Sequence, residues 1–174
     1  MKALIVYESM WGNSRRIAEA IAEGLGADGT TVVPVHRAQA APRDADLIIA
    51  GGPTHMHGMT TSTSREMSGK AAQEDGSSLE PGATDERGLR EWLRGLPDGN
   101  GTPAASFDTR IDKSALLTGS AAKGIARRLR QRGYDLVASE SYFVEDSEGP
   151  LEDGELERAR VWGEELRSRL QAAT

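Results

Sequence analysis

A change of hydrophobic period recurs along this chain and constrains its fold more than any other feature. An unbroken apolar run, "ALIVY" (Ala3–Tyr7), passes through a short loop, "SMWGNS" (Ser9–Ser14), into the helical pattern "SRRIAEAIAEGL". The run is rich in β-branched residues and barely alternates, as a strand covered on both faces does. Ile17, Ala18, Ile21 and Leu25 fall on one helical stripe. "TTVVPVH" (Thr30–His36) reads as a second strand, at a sheet edge because Pro34 cannot donate to a ladder. "ADLIIAGG" (Ala45–Gly52) is a third and "PAASFDT" (Pro103–Thr109) a fourth. "SAAKGIARRLRQRG" is a helix with Ala122, Ile125, Ala126 and Leu129 inward and Gly133 as its stop. "DLVASESYFV" (Asp135–Val144) is a fifth strand. The last helix starts near Gly154 behind Asp153 as N-cap, with Leu156, Ala159, Gly163, Leu166 and Leu170 on its stripe. Strands alternating with helices predict an α/β fold: a three-layer, doubly wound sandwich around a five-stranded parallel sheet.

At 174 residues the chain suits one domain, 1–174, with a full core. It has no cysteine, hence no disulfide framework, thiolate chemistry or cysteine-based metal site. A formal net charge of −6 argues against non-specific nucleic-acid binding and anionic membranes. The only basic run, "RRLRQR" (Arg127–Arg132), lies in an amphipathic helical pattern and reads as a solvated face. No apolar stretch is long enough to span a bilayer, and the N-terminus does not resemble a signal peptide. The expected location is cytoplasmic.

One segment breaks the regularity. Thr60–Thr84, "TTSTSREMSGKAAQEDGSSLEPGAT", is polar, rich in Gly and Ser, and without apolar periodicity. It reads as a long loop inserted at about 60–84, of the kind that forms lids or binding loops. Arg65 within it is a solvated loop residue or a phosphate ligand. "DERGLREWLRGLP" then reads as a helix carrying Leu89, Trp92, Leu93 and Leu96.

In doubly wound sheets ligands bind beyond the carboxyl ends of the strands, where the winding reverses. That points to the loops after the first, third and fourth strands. In the first, a helix N-terminus offers free N–H groups and a positive dipole end, which suit a phosphate. Gly12 permits close backbone approach, and Ser9, Asn13 and Ser14 add donors. The residues alone leave two readings open, an anion cradle or a plain helix start. The loop lacks the Gly-Lys-Ser/Thr of a P-loop. "GLGADG" (Gly24–Gly29) spells the dinucleotide pattern, but it follows a helix and precedes a strand, so it is a helix end and turn.

"LIVYESMWGNSRRIAEAI" resembles the phosphate-binding loop of flavodoxins: two apolar residues, an aromatic, any residue, Ser/Thr, then a small residue before a helix. Ile5, Val6, Tyr7, Ser9, Gly12, Ala18 and Ile21 match; Ser14 stands where threonine is usual. "GGPTHMHGMTTSTSR" resembles the flavin-ring loop. "FDTR", "GSAAKGIARRLRQRG" and the tail "SYFVEDSEGPLEDGELERARVWGEEL" resemble a flavodoxin-like family common in actinobacteria. The resemblance implies strand order 2-1-3-4-5 and FMN as cofactor. It implies FMN contacts from Ser9, Met10, Trp11, Gly12, Asn13 and Ser14. Pro53, Thr54, His55, Met56, His57 and Gly58 would flank the flavin, with Asp108, Thr109 and Arg110 beyond them. Thr54 would meet the ribityl chain or phosphate, and Gly58 would supply the peptide that rotates with flavin protonation.

Two departures bear on function. Flavodoxins usually hold the flavin between aromatic side chains, whereas here the third loop offers His55, Met56, His57 and Met59, and the fourth has only Phe107, expected in the core. Trp11 is a packing residue or a replacement wall. His55, His57 and Arg110 would stabilise an anionic reduced flavin, implying a higher potential suited to two-electron reduction. Asp108 and Arg110 would otherwise form a structural ion pair. The expected function is an FMN-binding redox protein, either an electron carrier with a redox partner protein or a small reductase passing NAD(P)H electrons to a quinone-type acceptor. The alternative is a flavodoxin-like module with weak or lost FMN binding that serves an interaction or regulatory role.

Overall fold

Period-two alternation in the strands sorts the core into two layers. The computed structural model describes residues 1–39, 44–55, 57–85, 87–114, 118–146 and 148–172. Its strands are β1 (Ala3–Tyr7), β2 (Thr30–Pro34), β3 (Leu47–His55), β4 (Gly58–Met59), β5 (Pro103–Ile111) and β6 (Asp135–Val144). Its helices are α1 (Asn13–Leu25), α2 (Ser62–Asp75), α3 (Leu89–Arg94), α4 (Ala121–Gln131) and α5 (Glu155–Ala172). Ile5, Tyr7, Ile49, Phe107 and Tyr142 point to one side and pack with α1 and α5. Val6, Ile48, Ala50 and Ala104 point to the other and pack with α3 and α4. Trp92 belongs to the second layer and Trp162 to the first, both buried.

The parallel strands run β2-β1-β3-β5-β6, and β4 pairs antiparallel with β3 alone. The sheet thus has six strands rather than five. The additional one is a two-residue strand, too short to leave a periodic signal. β2 is an edge strand, as Pro34 requires, and it stops there; Val35–Arg37 turn into a 3-10 helix. Gly24 and Gly163 let α1 and α5 cross closely, since a Cβ on either would run into the other helix's backbone carbonyl. Gly26 ends α1 by donating to the Ala22 and Glu23 carbonyls, which settles "GLGADG" as a helix end. Gly154, not Asp153, stands immediately before α5.

The stretch expected to be a loop contains a helix, α2, over Ser62–Asp75. Its support is polar, which is why apolar periodicity missed it. Thr61 and Ser64 form a reciprocal capping box, at 3.1 and 2.8 Å. Arg65 is buried rather than solvated or ligand-facing. Its Nε donates to the Asp85 carbonyl at 3.0 Å, and its Nη1 donates to the Thr60 hydroxyl at 3.2 Å and lies 3.9 Å from Glu8 Oε1. Glu8 accepts from the Thr60 hydroxyl and, at 2.7 Å, from the Leu89 N–H that begins α3. This buried network fastens α2 and α3 to the carboxyl end of β1. Among the described residues, no helix is long and apolar enough to cross a membrane.

Candidate functional site

The carboxyl ends of β1, β3 and β5 open onto a cleft of ≈ 220 Å³. The β1–α1 loop contributes Ser9, Met10, Trp11, Asn13 and Ser14; β3 contributes Pro53, Thr54 and His55; β5 contributes Thr109 and Arg110. These segments are far apart in sequence and meet here because β1 and β5 flank β3.

Gly12 precedes α1 with φ +89, and no side chain caps this helix end. The first-turn N–H groups therefore keep their capacity for an outside acceptor. The Gly12 N–H donates to Ser9 Oγ at 3.1 Å, which tightens the loop. The Ser14 and Thr109 hydroxyls lie 2.8 Å apart and join the loop to the end of β5. Asn13 Nδ2 donates to the Glu148 carbonyl at 3.0 Å, which brings in the segment after β6. Trp11 lines the cleft, so an aromatic wall comes from the first loop, not from the third or fourth.

Glu80 lies beside this loop, where a Cβ on Gly12 would come within 3.0 Å of its Oε1. Arg15 holds the carboxylate through Nε, at 3.1 and 3.2 Å. Arg15 is raised above its ordinary pKa, chiefly by its hydrogen bond to Glu19, with Glu80 adding. The ion pair offsets the charge of the Glu80 carboxylate beside Gly12.

Strand alternation puts Thr109 on the opposite face of β5 from Asp108. Asp108 faces α4 and is fully buried. Its Oδ2 accepts from the Thr54 hydroxyl at 2.9 Å, the Ser120 hydroxyl at 2.7 Å and the Ala122 N–H at 2.9 Å. Asp108 does not line the cleft, and it makes no ion pair with Arg110 among the described residues. Thr54 also accepts from the Ala121 N–H at 2.8 Å, so its hydroxyl is committed to α4 rather than to the cleft. The Arg110 guanidinium stacks on Phe143, 5.0 Å from the ring centroid, and Nη1 donates to the Lys113 carbonyl at 2.6 Å. Its Nε is buried and has no acceptor among the described residues.

The third loop differs from expectation. Gly58 pairs with His55 in the β3–β4 hairpin and has no positive φ, whereas His57 has φ 71 and bridges to Gly119. The left-handed backbone is therefore at His57, next to Gly58. His57, Gly58 and Gly12 do not line the cleft. Met56 lies outside the described residues.

Five lining residues escaped sequence reasoning. Ser68 and Ala71 come from α2, Ile111 ends β5, Val144 ends β6 and Glu148 follows it. The winding rule does not point to the end of β6, and α2 gave no periodic signal.

The donor set suits a phosphate ester bearing a flat ring system. It comprises an uncapped helix end, the Ser9 and Ser14 hydroxyls and one guanidinium nitrogen without an acceptor. Trp11, Pro53, Ile111 and Val144 give apolar or aromatic walls. At ≈ 220 Å³ the cleft falls below the roughly 300 Å³ lower end of ligand pockets, so a bound flavin nucleotide would keep part of its surface open.

The family model described as Flavodoxin matches residues 5–108. No curated protein matches the chain. Among solved structures, a flavodoxin from the domain Archaea is similar at a TM-score of 0.62 and 18% identity, covering 98% of this chain and 99% of that one. A flavodoxin, a WrbA-like protein, from Agrobacterium tumefaciens is similar at 0.59 and 20%, covering 99% of each chain. Oxidised Flavodoxin 2 from Bacillus cereus is similar at 0.59 and 19%, covering 100% of each. At these identities the structural likeness speaks for the fold alone.

Proposed function

The chain belongs to the flavodoxin family, and from that premise we propose that it binds FMN in the cleft and passes electrons to a redox partner protein. The observation that carries this reading is the convergence of Ser9–Ser14, Pro53–His55 and Thr109–Arg110 on one cleft, tied by the Ser14–Thr109 hydrogen bond.

FMN when bound supplies a ring that accepts and returns electrons, with protons taken up at its nitrogens. The chain's residues do the rest. The α1 N-terminus, Ser9 and Ser14 would hold the phosphate without any lysine. Trp11 and Pro53 would cover ring surface and exclude water. The Arg110 guanidinium favours negative charge in the cleft, which makes the reduced state easier to reach. His55 lines the cleft beside it, and His57 does not.

A reductase that takes hydride directly from NAD(P)H needs room for a nicotinamide over the flavin. Ser68 and Ala71 of α2 occupy one wall of the cleft, which favours the carrier. Purified protein supplied with FMN and then freed of excess flavin by gel filtration should be yellow and oxidise NAD(P)H with a quinone acceptor only when a separate reductase is added. Protein that stays colourless with added FMN would sink the proposal and favour the interaction-module reading. Rapid NAD(P)H oxidation without a reductase would make the protein an enzyme in its own right.

A further inference from the structure

The acidic chain carries a concentrated positive face. From Lys113 to Tyr134 there are six lysines and arginines and no carboxylate, in a molecule of net charge −6. From Glu145 to Thr174 there are nine aspartates and glutamates against four arginines. The two stretches supply α4 and α5, which pack on opposite sides of the sheet. The molecule is therefore electrostatically polarised across its layers.

On the positive side α3 adds to α4. Arg94 and Arg132 meet, the Arg132 guanidinium donating to the Arg94 carbonyl. A groove of ≈ 250 Å³ lies between the helices, lined by Leu93, Arg94, Arg128, Gln131 and Arg132. Burial, then Arg90, Arg127 and Arg94, hold the Arg128 guanidinium below its ordinary pKa, so these cations sit close enough to repel one another. Among the described residues only Arg94 of this group has a carboxylate partner, Glu91 at 3.8 Å. The α4 dipole favours a cation or two in its last turn. It does not account for Arg90 and Arg94, which come from another helix. Arg90, Arg128 and Arg132 each donate to a backbone carbonyl, but these bonds leave the positive charges in place, and an incoming anion would relieve them.

The face also reaches the cleft. Arg90 donates to the Met59 and Thr60 carbonyls, both at 2.8 Å, and so holds the β3–β4 hairpin whose other strand ends in Thr54 and His55. A molecule docked on α3 and α4 touches the segment that borders the cleft.

We propose that the α3–α4 face, centred on Arg94, Arg127, Arg128 and Arg132, docks an acidic partner protein. A protein with a local acidic patch fits better than a nucleic acid or an anionic membrane. A long or flat polyanion would extend past the patch onto the acidic remainder, where it is repelled. The groove between the helices gives a concave seat that a projecting acidic side chain can fill. The assignment of this molecule as an electron-transfer partner rests on the FMN reading; the docking surface does not.

The test uses the full chain with a fluorescent oligoglutamate peptide, read by anisotropy. Arg127 and Arg132 are exposed and lie outside the cleft, so Arg127→Glu with Arg132→Glu should keep the circular dichroism and the FMN titration of the parent. Peptide binding should weaken about tenfold or more in that variant, and should fall with added salt in the parent. The same charge change placed elsewhere, Arg37→Glu with Lys70→Glu, should alter it by no more than about twofold. Equal binding by parent and α4 variant would overturn the proposal. So would tighter binding of a short DNA duplex, or of phosphatidylglycerol vesicles, than of the peptide through the same arginines. FMN titration of the same samples reads the redox assignment separately: peptide binding without FMN uptake upholds the docking surface and removes its redox purpose.

Discussion

The Ser14 and Thr109 hydroxyls, 2.8 Å apart and buried, join the first turn of α1 to the carboxyl end of β5. This bond brings two distant loops to one cleft, and both hydroxyls stand where a bound phosphate or ribityl chain would lie. Ser14→Ala should therefore weaken FMN binding by about tenfold, the worth of one hydrogen bond to a charged group. The unfolding midpoint should move little, because the lost bond is a single neutral one. Flavin fluorescence quenching with a parallel urea titration checks both halves.

Gly12 faces a stricter test. At φ +89, any side chain there is strained, and a Cβ would approach Glu80 Oε1 to 3.0 Å. Gly12→Asp adds a second carboxylate beside Glu80 and should abolish detectable FMN binding. The backbone strain alone should cost about 1–2 kcal/mol of stability. Gly12→Asp combined with Glu80→Gln should recover part of the stability and none of the FMN affinity, as read by thermal unfolding and FMN titration.

Arg65 and Glu8 form a buried ion pair with Thr60 between them. Removing one charge leaves the other uncompensated, so Arg65→Met should destabilise the protein by about 3–5 kcal/mol. The double change Glu8→Gln with Arg65→Met should be less damaging than Arg65→Met alone. Urea unfolding of the four proteins in this cycle decides the point; additive losses would contradict it.

This network also explains what was legible in the sequence and what was not. β1, α1 and α4 announce themselves because burial by apolar side chains imposes a period, and Ile17, Ile21, Ile125 and Leu129 are all fully buried. α2 depends on a capping box and an arginine, which leave no period, so Ser62–Asp75 read as loop. The cleft followed partly from topology: the loops after β1, β3 and β5 could be named in advance. Which face of β5 each residue takes could not, and Asp108 turned out to brace α4 while Thr109 meets Ser14. Ser68 and Ala71 were invisible for the same reason as α2 itself.

The Tyr142 hydroxyl is buried with no hydrogen-bond partner among the described residues. Burial, with Glu140 adding, raises its pKa far above the ordinary 10.0. The folded state therefore keeps a proton that the unfolded state loses above that value. The stability linked to this group is complete below pH 10.0 and falls as pH rises beyond it. Tyr142→Phe should be neutral or slightly stabilising at pH 7, by about 0–1 kcal/mol. It should also flatten the alkaline fall, measured as denaturant midpoints across that range.

The account's central claim is that the Ser9–Ser14 loop holds a phosphate. Titrating the apoprotein with FMN and with riboflavin, which differ only in that phosphate, tests it most directly. Two or three charge-assisted hydrogen bonds predict that FMN binds about a hundredfold or more tightly than riboflavin. Equal affinities for the two, or no uptake of either, would contradict the claim.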